Sequence, residues 1–314
     1  RSAARPQRVQ VAMQRGVRMY HDQTTRPLQD IRWELLTLLA HGAFVTMVDK
    51  LSVDGRLDRD AYRTIGSALR DARARRADFG QPPLADVGIW FGARNRDWVG
   101  RDTPHRAFQP FLGVHRALVG EHLPWDVVCD ENADAATLAR LPALVLPDVR
   151  ILSDAQVRLL RDYVAAGGHL VVTGRTGTAD RTGNPAPQPA FEALIGARVE
   201  ALPDATDHWL DLSAGAPAAL ARGIAPQPFL VEGPAVRYRP TTATAYGRLV
   251  APQRTLRQSQ GKETVVWPSS PGEAVGPGVL VHRIGKGSVT TLAACPGTAF
   301  AGEHPVTANR TLLG

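Results

Sequence analysis

The sequence predicts an α/β fold, with a doubly wound parallel sheet in its larger part. Three observations point there: continuous apolar runs of strand length recur, stretches of helical apolar spacing separate them, and glycines close the helices. With 314 residues, 44% of them hydrophobic and 21% charged, the chain has a globular composition and enough length for two cores.

The first 80 residues read as repeating β/α pieces. Val17–His21 is a β-rich run, followed by Asp22 to Pro27 and by a helix whose Leu28, Ile31, Leu35 and Leu38/Leu39 recur at helical spacing and which stops at Gly42. Ala43–Val48 is a continuous apolar run, which suits a strand buried on both faces, and it ends in the polar pair Asp49-Lys50. After the loop 52–56, Asp58 is placed as the N-cap of a second helix, with Tyr62, Ile65 and Leu69 on one face.

A second series follows the linker Gln81-Pro-Pro83. Asp86–Phe91 is a strand, and Phe108, Phe111, Leu112, Leu118 and Val119 mark the expected buried stripe of a helix ending near His122. Trp125–Cys129, Ala143–Pro147 and His169–Thr173 are further strands. Between the last two, Ser153-x-x-Gln156 is a capping box and Gly167-Gly168 closes the helix that it opens. Such a sheet binds ligands beyond the carboxyl ends of its strands. From about 203 to 277 the chain turns rich in Pro, Gly and Thr, and an irregular, partly β insertion is expected, with short runs at 235–239 and 264–267. Val279–Ile284 and Ser288–Leu292 form a hairpin over a three-residue loop, Gly285-Lys-Gly287, and a last helix starts after His304.

The net charge of +7 raises nucleic acid as a partner, but the basic residues are spread through every segment and all but Lys50, Lys262 and Lys286 are arginine. The densest run, Arg70–Arg76, continues a helix and is interrupted by Asp71, so a solvated face is expected and nucleic acid is not. Two cysteines, Cys129 and Cys295, make no disulfide framework and no metal-ligand spacing, and no metal or cofactor is expected. No apolar run approaches the roughly 18 residues of a membrane span.

Candidate chemistry gathers after the strands. Tyr20, His21 and Asp22 follow one and Asp49 and Lys50 the next, where a β/α barrel places its substrate contacts; equally, Asp22 and Asp49 would serve as caps and His21 as a structural hydrogen-bonder. Trp98, in the polar loop 93–98, is a candidate for stacking on a sugar ring. No pair of catalytic carboxylates is evident. The turn Val171-Val-Thr-Gly-Arg-Thr-Gly177 lies where class I glutamine amidotransferases carry a cysteine nucleophile, and it holds no cysteine.

Taken in order, these motifs resemble known glycosidases. His41-Gly42, Asp54-Gly-Arg-Leu-Asp58 and Tyr62-x-x-Ile-Gly66 resemble the last strand and helix of the barrels of family 42 β-galactosidases and family 29 α-L-fucosidases. Val87-Gly-Ile-Trp-Phe-Gly-Ala-Arg-Asn-Arg-Asp-Trp-Val-Gly100, Arg116-Ala-Leu-Val-Gly-Glu-His-Leu-Pro-Trp-Asp-Val-Val128, Leu144-Val-Leu-Pro147 and Leu152-Ser-Asp-Ala-Gln156 with Gly167-Gly168 are similar to the β-galactosidase trimerisation domain, which has an amidotransferase-like fold without the nucleophile.

The resemblance implies that residues 1–82 are the last two β/α units of an incomplete (β/α)8 barrel. It implies that 83–314 are a flavodoxin-like, amidotransferase-like assembly domain that also walls an active site. The expected activity is hydrolysis of O-glycosidic bonds in a carbohydrate substrate by a homo-oligomer, a trimer by resemblance. The catalytic carboxylates of these families come from earlier barrel strands that nothing here matches, so no catalytic residue is carried over and the chain is expected to be a fragment. The alternative is a noncatalytic sugar-binding or subunit-assembly module.

Overall fold

A computed structural model describes residues 9–16, 23–81, 83–213, 215–253, 269–303 and 305–314. The chain divides into two compact units, Arg1–Pro83 and Leu84–Gly314.

In the first unit β1 (Gln10–Gln14) and β2 (Phe44–Val48) pair in parallel from Gln10↔Phe44 to Gln14↔Val48, with α1 (Leu28–Ala40) between them and α2 (Arg59–Ala74) after them. The expected strand at 17–21 lies outside the described residues; β1 precedes it. α1 buries Ile31 and Leu35 as its spacing predicts, and Gly42 takes φ +79° just beyond it, a conformation that costs glycine little. Asp58 caps α2, its Oδ1 accepting from the amides of Asp60 at 3.0 Å and Ala61 at 3.1 Å.

Two expectations about this unit need correction. The buried stripe of α2 is Ala61, Ile65, Ala68 and Ala72, whereas Tyr62 and Leu69 are exposed: the small side chains let α2 pack closely, and the large ones fall on the flanks. β2 is half-buried rather than covered on both faces, and Phe44 is exposed; among the described residues β1 is its only neighbour.

The second unit is built on one nine-stranded sheet. Along the chain come β3 (Val87–Phe91), α3 (Pro104–Gly120), β4 (Trp125–Cys129), α4 (Ala135–Leu138), β5 (Ala143–Pro147), α5 (Asp154–Ala166) and β6 (His169–Thr173). Then follow α6 (Pro189–Ile195), β7 (Ala197–Ala201), β8 (Asp207–Asp211), α7 (Ala218–Ala221), β9 (Phe229–Glu232), β10 (Arg237–Pro240) and β11 (Thr244–Pro252). After these come β12 (Pro271–Ile284), β13 (Gly287–Leu292), α8 (Pro296–Ala301) and α9 (Thr307–Leu313).

The strand order is β4-β3-β5-β6-β13-β12-β11-β8-β9. The first five are mutually parallel and the rest antiparallel; β7 and β10 make a separate antiparallel pair. The parallel half has the doubly wound arrangement expected: after β3 the chain steps outward to β4, then returns across to β5. The order therefore reverses beside β3, and a crevice opens outside the carboxyl ends of β3 and β5.

The capping box at α5 is formed, Gln156 N donating to Ser153 Oγ at 3.3 Å and Ser153 N to Gln156 Oε1 at 2.8 Å. The segment 203–277 is β-rich as expected but more regular: β8, β9, β11 and the start of β12 continue the main sheet. The short run at 264–267 lies outside the described residues. The hairpin turns over two residues, Gly285-Lys286, because Gly287 already pairs with Ile284.

The helix α3 presents another face than its large apolar residues suggest. It buries Pro110, Gly113, Val114, Ala117 and Leu118, leaving Val119 and Phe108 exposed. Gly113 packs on Gly297 at the start of α8 so closely that a Cβ there would lie 1.7 Å from the Gly297 carbonyl oxygen, so the helix turns its smallest residues to its neighbour. Behind the sheet, Leu144, Leu146, Leu160, Leu170, Val172, Phe191, Val279 and Val289 are all 0–1% exposed. Among the described residues no helix is long and apolar enough to cross a membrane.

Candidate functional site

In the first unit the polar residues collect at the carboxyl ends of β1 and β2 around Arg15, which is only 3% exposed. Its Nη1 lies 3.1 Å from Asp49 Oδ1 and its Nη2 2.5 Å from Asp58 Oδ2; Nε donates to Thr25 Oγ1 at 3.1 Å and Nη2 to the Gln23 carbonyl at 2.5 Å. The planar guanidinium suits this fan of acceptors, which an ammonium could not serve. Asp49 Oδ1 also accepts from the Lys50 amide at 2.8 Å, which orients its carboxylate. The amide of Ala61, with the Arg15 charge and the Asp60 amide, holds the Asp58 carboxyl below its ordinary range. Lys50 follows at the exposed rim. Tyr20, His21 and Asp22 lie outside the described residues.

In the second unit the crevice beside β3 holds a cavity of about 230 Å³ lined chiefly by Trp90, Phe91, Phe108, Phe111, Pro147 and Val149, with Asn95 and Arg96 at its edge. The loops around it are latched by long-range hydrogen bonds. Asn95, nearly buried, donates through Nδ2 to the Asp148 carbonyl at 3.2 Å and accepts at Oδ1 from the Arg150 amide at 3.0 Å, tying the turn after β3 to the turn after β5. Trp90 Nε1 donates to Asp130 Oδ1 at 2.9 Å, which also receives Gln156 Nε2 at 3.0 Å. Trp98 lies on the single π-helical turn Asn95–Val99 and is 47% exposed, as a stacking surface requires. Its neighbour Asp97 is held below the ordinary carboxylate range by the hydrogen bond from Arg96.

The turn after β6 carries no cysteine and is closely packed. Gly174 sits at φ +60°, and a Cβ placed on it would come 2.7 Å from Asp148 Oδ1 and 3.2 Å from Cys295 Cβ. Asp148 and Cys295 fill the space that any side chain at this position would need. Asp148 itself stands at φ +53°, which aspartate tolerates better than most residues, and its carboxylate receives the Arg175 amide at 2.7 Å and Arg150 Nε at 3.0 Å. Cys295 is fully buried, burial foremost and Asp148 next pushing its thiol up to about 11, so it stays protonated at neutral pH. Burial likewise raises Cys129. Among the described residues no group of three or more His, Cys, Asp or Glu side chains is arranged to hold a metal.

Asp49 and Lys50 lie at loop positions as expected, Trp98 lies on a helical turn rather than in the expected loop, and Arg15, Asn95 and Asp148 were not among the expected site residues. Each follows a strand directly or within a few residues, the one local signal that marks them.

A parallel sheet ordered in this way, reversing beside β3 and continued by antiparallel strands, defines the class: a doubly wound α/β domain. Residues 85–219 match the family model of the β-galactosidase trimerisation domain. Among solved structures, the chain is similar to α-L-fucosidase isoenzyme 2 from Paenibacillus thiaminolyticus, with a TM-score of 0.68, 21% identity and coverage of 96% of this chain and 43% of that one. It is also similar to a β-galactosidase from Bacillus circulans sp. alkalophilus (TM-score 0.66, 14% identity, 96% and 43% covered). The E323A catalytic mutant of Gan42B, a GH42 β-galactosidase from G. stearothermophilus, gives TM-score 0.63, 15% identity, and 87% and 39% covered. At these identities the likeness carries the fold, and the chain spans about two fifths of the length of those structures. No curated protein matches the chain.

Proposed function

We propose that this chain is the barrel-end and assembly portion of a glycoside hydrolase of the β-galactosidase kind. Residues 1–82 would be two β/α units of a (β/α)8 barrel, and 83–314 the domain through which copies of the protein assemble, as a trimer. The match of residues 85–219 to the trimerisation domain carries this reading. The polar groups at the carboxyl ends of β1 and β2 support the barrel assignment, since barrels build their sites there.

In this reading Tyr20, His21, Asp22, Asp49, Lys50 and Trp98 contact carbohydrate. Asp49, locked by Arg15, accepts hydrogen bonds from sugar hydroxyls and moves no proton. The acid and nucleophile of the hydrolysis come from outside these 314 residues. Sedimentation of the purified chain at micromolar concentration tests the assembly role: a trimer is expected, and a monomer overturns it. Incubation with an aryl β-galactoside tests the division of labour, because hydrolysis by the chain alone would place the carboxylate pair within it. The noncatalytic module gains instead if the full-length protein carrying this chain binds galactosides without cleaving them.

A further inference from the structure

The crevice beside β3 is walled by aromatic rings. Phe91 meets Phe108 at 6.3 Å and Phe111 at 5.6 Å, both edge to face, while Phe108 and Phe111 stack at 5.3 Å. Together with Trp90 and Val149 they line a space of about 230 Å³ that offers both ring faces and ring edges. Polar atoms near it are already engaged: Trp90 Nε1 with Asp130, both ends of the Asn95 amide with the Asp148 carbonyl and the Arg150 amide, and Arg96 with Asp97 at 2.7 Å. A ligand rich in hydroxyl groups would find few partners here, and a charged one would compete with an existing ion pair.

We propose that this pocket binds a single uncharged aromatic ring, a role separate from the assembly and glycosidase reading and independent of it. The volume sets the size: an apolar cavity of about 150 Å³ accepts benzene, so this one takes one substituted ring. Aromatic walls set the preference, because edge-to-face and offset contacts favour an aromatic ring over a saturated one of equal size by roughly two- to tenfold.

The test uses the whole 314-residue chain and two probes, toluene and methylcyclohexane, followed by NMR at the Ala107 and Val149 methyl groups and the Trp90 indole N–H. Saturable shifts with toluene are expected, at an affinity roughly two- to tenfold better than with methylcyclohexane. Phe108, 41% exposed, can be changed without opening the core. Phe108→Leu keeps the apolar volume but removes one of the aromatic walls and should reduce the aromatic preference, and Phe108→Ala should weaken toluene further. The absence of saturable shifts, equal affinity for the two probes, a preference that Phe108→Leu leaves undiminished, or stronger shifts with lactose than with toluene would each overturn the proposal.

Discussion

The two units of this chain obey the same local rules and reach different ends. Of the twelve large apolar side chains that are exposed among the described residues, eight (Val9, Trp33, Phe44, Leu51, Val53, Leu57, Tyr62 and Leu69) belong to the 83-residue unit and four to the much longer second one. Helix caps, glycine stops and parallel pairing are as well formed in the first as in the second. What differs is layering: a two-stranded parallel sheet cannot cover both faces of its strands, whereas nine strands flanked by helices can. The first unit has a buried polar organiser in Arg15, which gathers Asp49, Asp58, Thr25 and the Gln23 carbonyl.

Replacing Arg15 should break this contrast most visibly. Arg15→Met keeps the apolar stem but leaves the mostly buried Asp49 carboxylate without its counter-charge, and removing one partner of such a pair costs about 3–5 kcal/mol. Amide exchange along Phe44–Val48 should accelerate toward the unfolded rate while β5 and β6 are unchanged. Unaltered protection of β2 would show that Arg15 does not hold this unit.

The corresponding weak point of the second unit is apolar and steric. Gly113→Ala drives a methyl group into the Gly297 carbonyl, and since both partners are backbone, a shift of α3 or α8 is required, costing about 2–3 kcal/mol. Denaturant unfolding of this unit should move by that amount with the first unit unaffected. A smaller effect, about 1 kcal/mol, is expected from Ser153→Ala, which removes one half of the capping box of α5 and is read by the same unfolding curve.

Legibility in the sequence follows the same line between local and distant causes. β3 to β6, α1 and α5 announce themselves through continuous apolar runs, helical spacing and caps, all contained within a few residues. β1 does not, because Gln10 and Gln14 flank only three apolar positions, and β8 hides behind Asp207 and Asp211 with His208 buried between them. In α2 and α3 the expected Ile65 and Leu118 are buried, but much of each packed face is alanine and glycine (Ala61, Ala68 and Ala72; Gly113 and Ala117), which a count of large apolar residues cannot see. At the candidate sites Asp49 is legible as a polar residue after a strand and Trp98 as an aromatic in a polar stretch, though that stretch is a helical turn rather than a loop. Arg15, Asn95 and Asp148 gain their roles from partners 34, 53 and 27 positions away, which no local pattern encodes.

Acid separates the two units most gently, and the sign can be worked out for each. In the second unit burial lowers the pKa of His208 below its ordinary 6.5, so the unfolded chain binds the proton more readily than the folded one. Its contribution is complete above about pH 6.5 and is lost as pH falls toward the folded value. In the first unit the depressed groups are carboxylates: Asp30, through the hydrogen bond from Arg26, and Asp58, chiefly through the Ala61 amide. Their contribution is complete above the ordinary 3.8 and fades only below it. Between pH 6.5 and 4.5 the second unit should therefore lose some stability while the first holds. Amide exchange measured in each unit across that range checks it, and His208→Gln should flatten the slope of the second unit alone. A slope unchanged by that substitution would place the acid sensitivity elsewhere in the sheet.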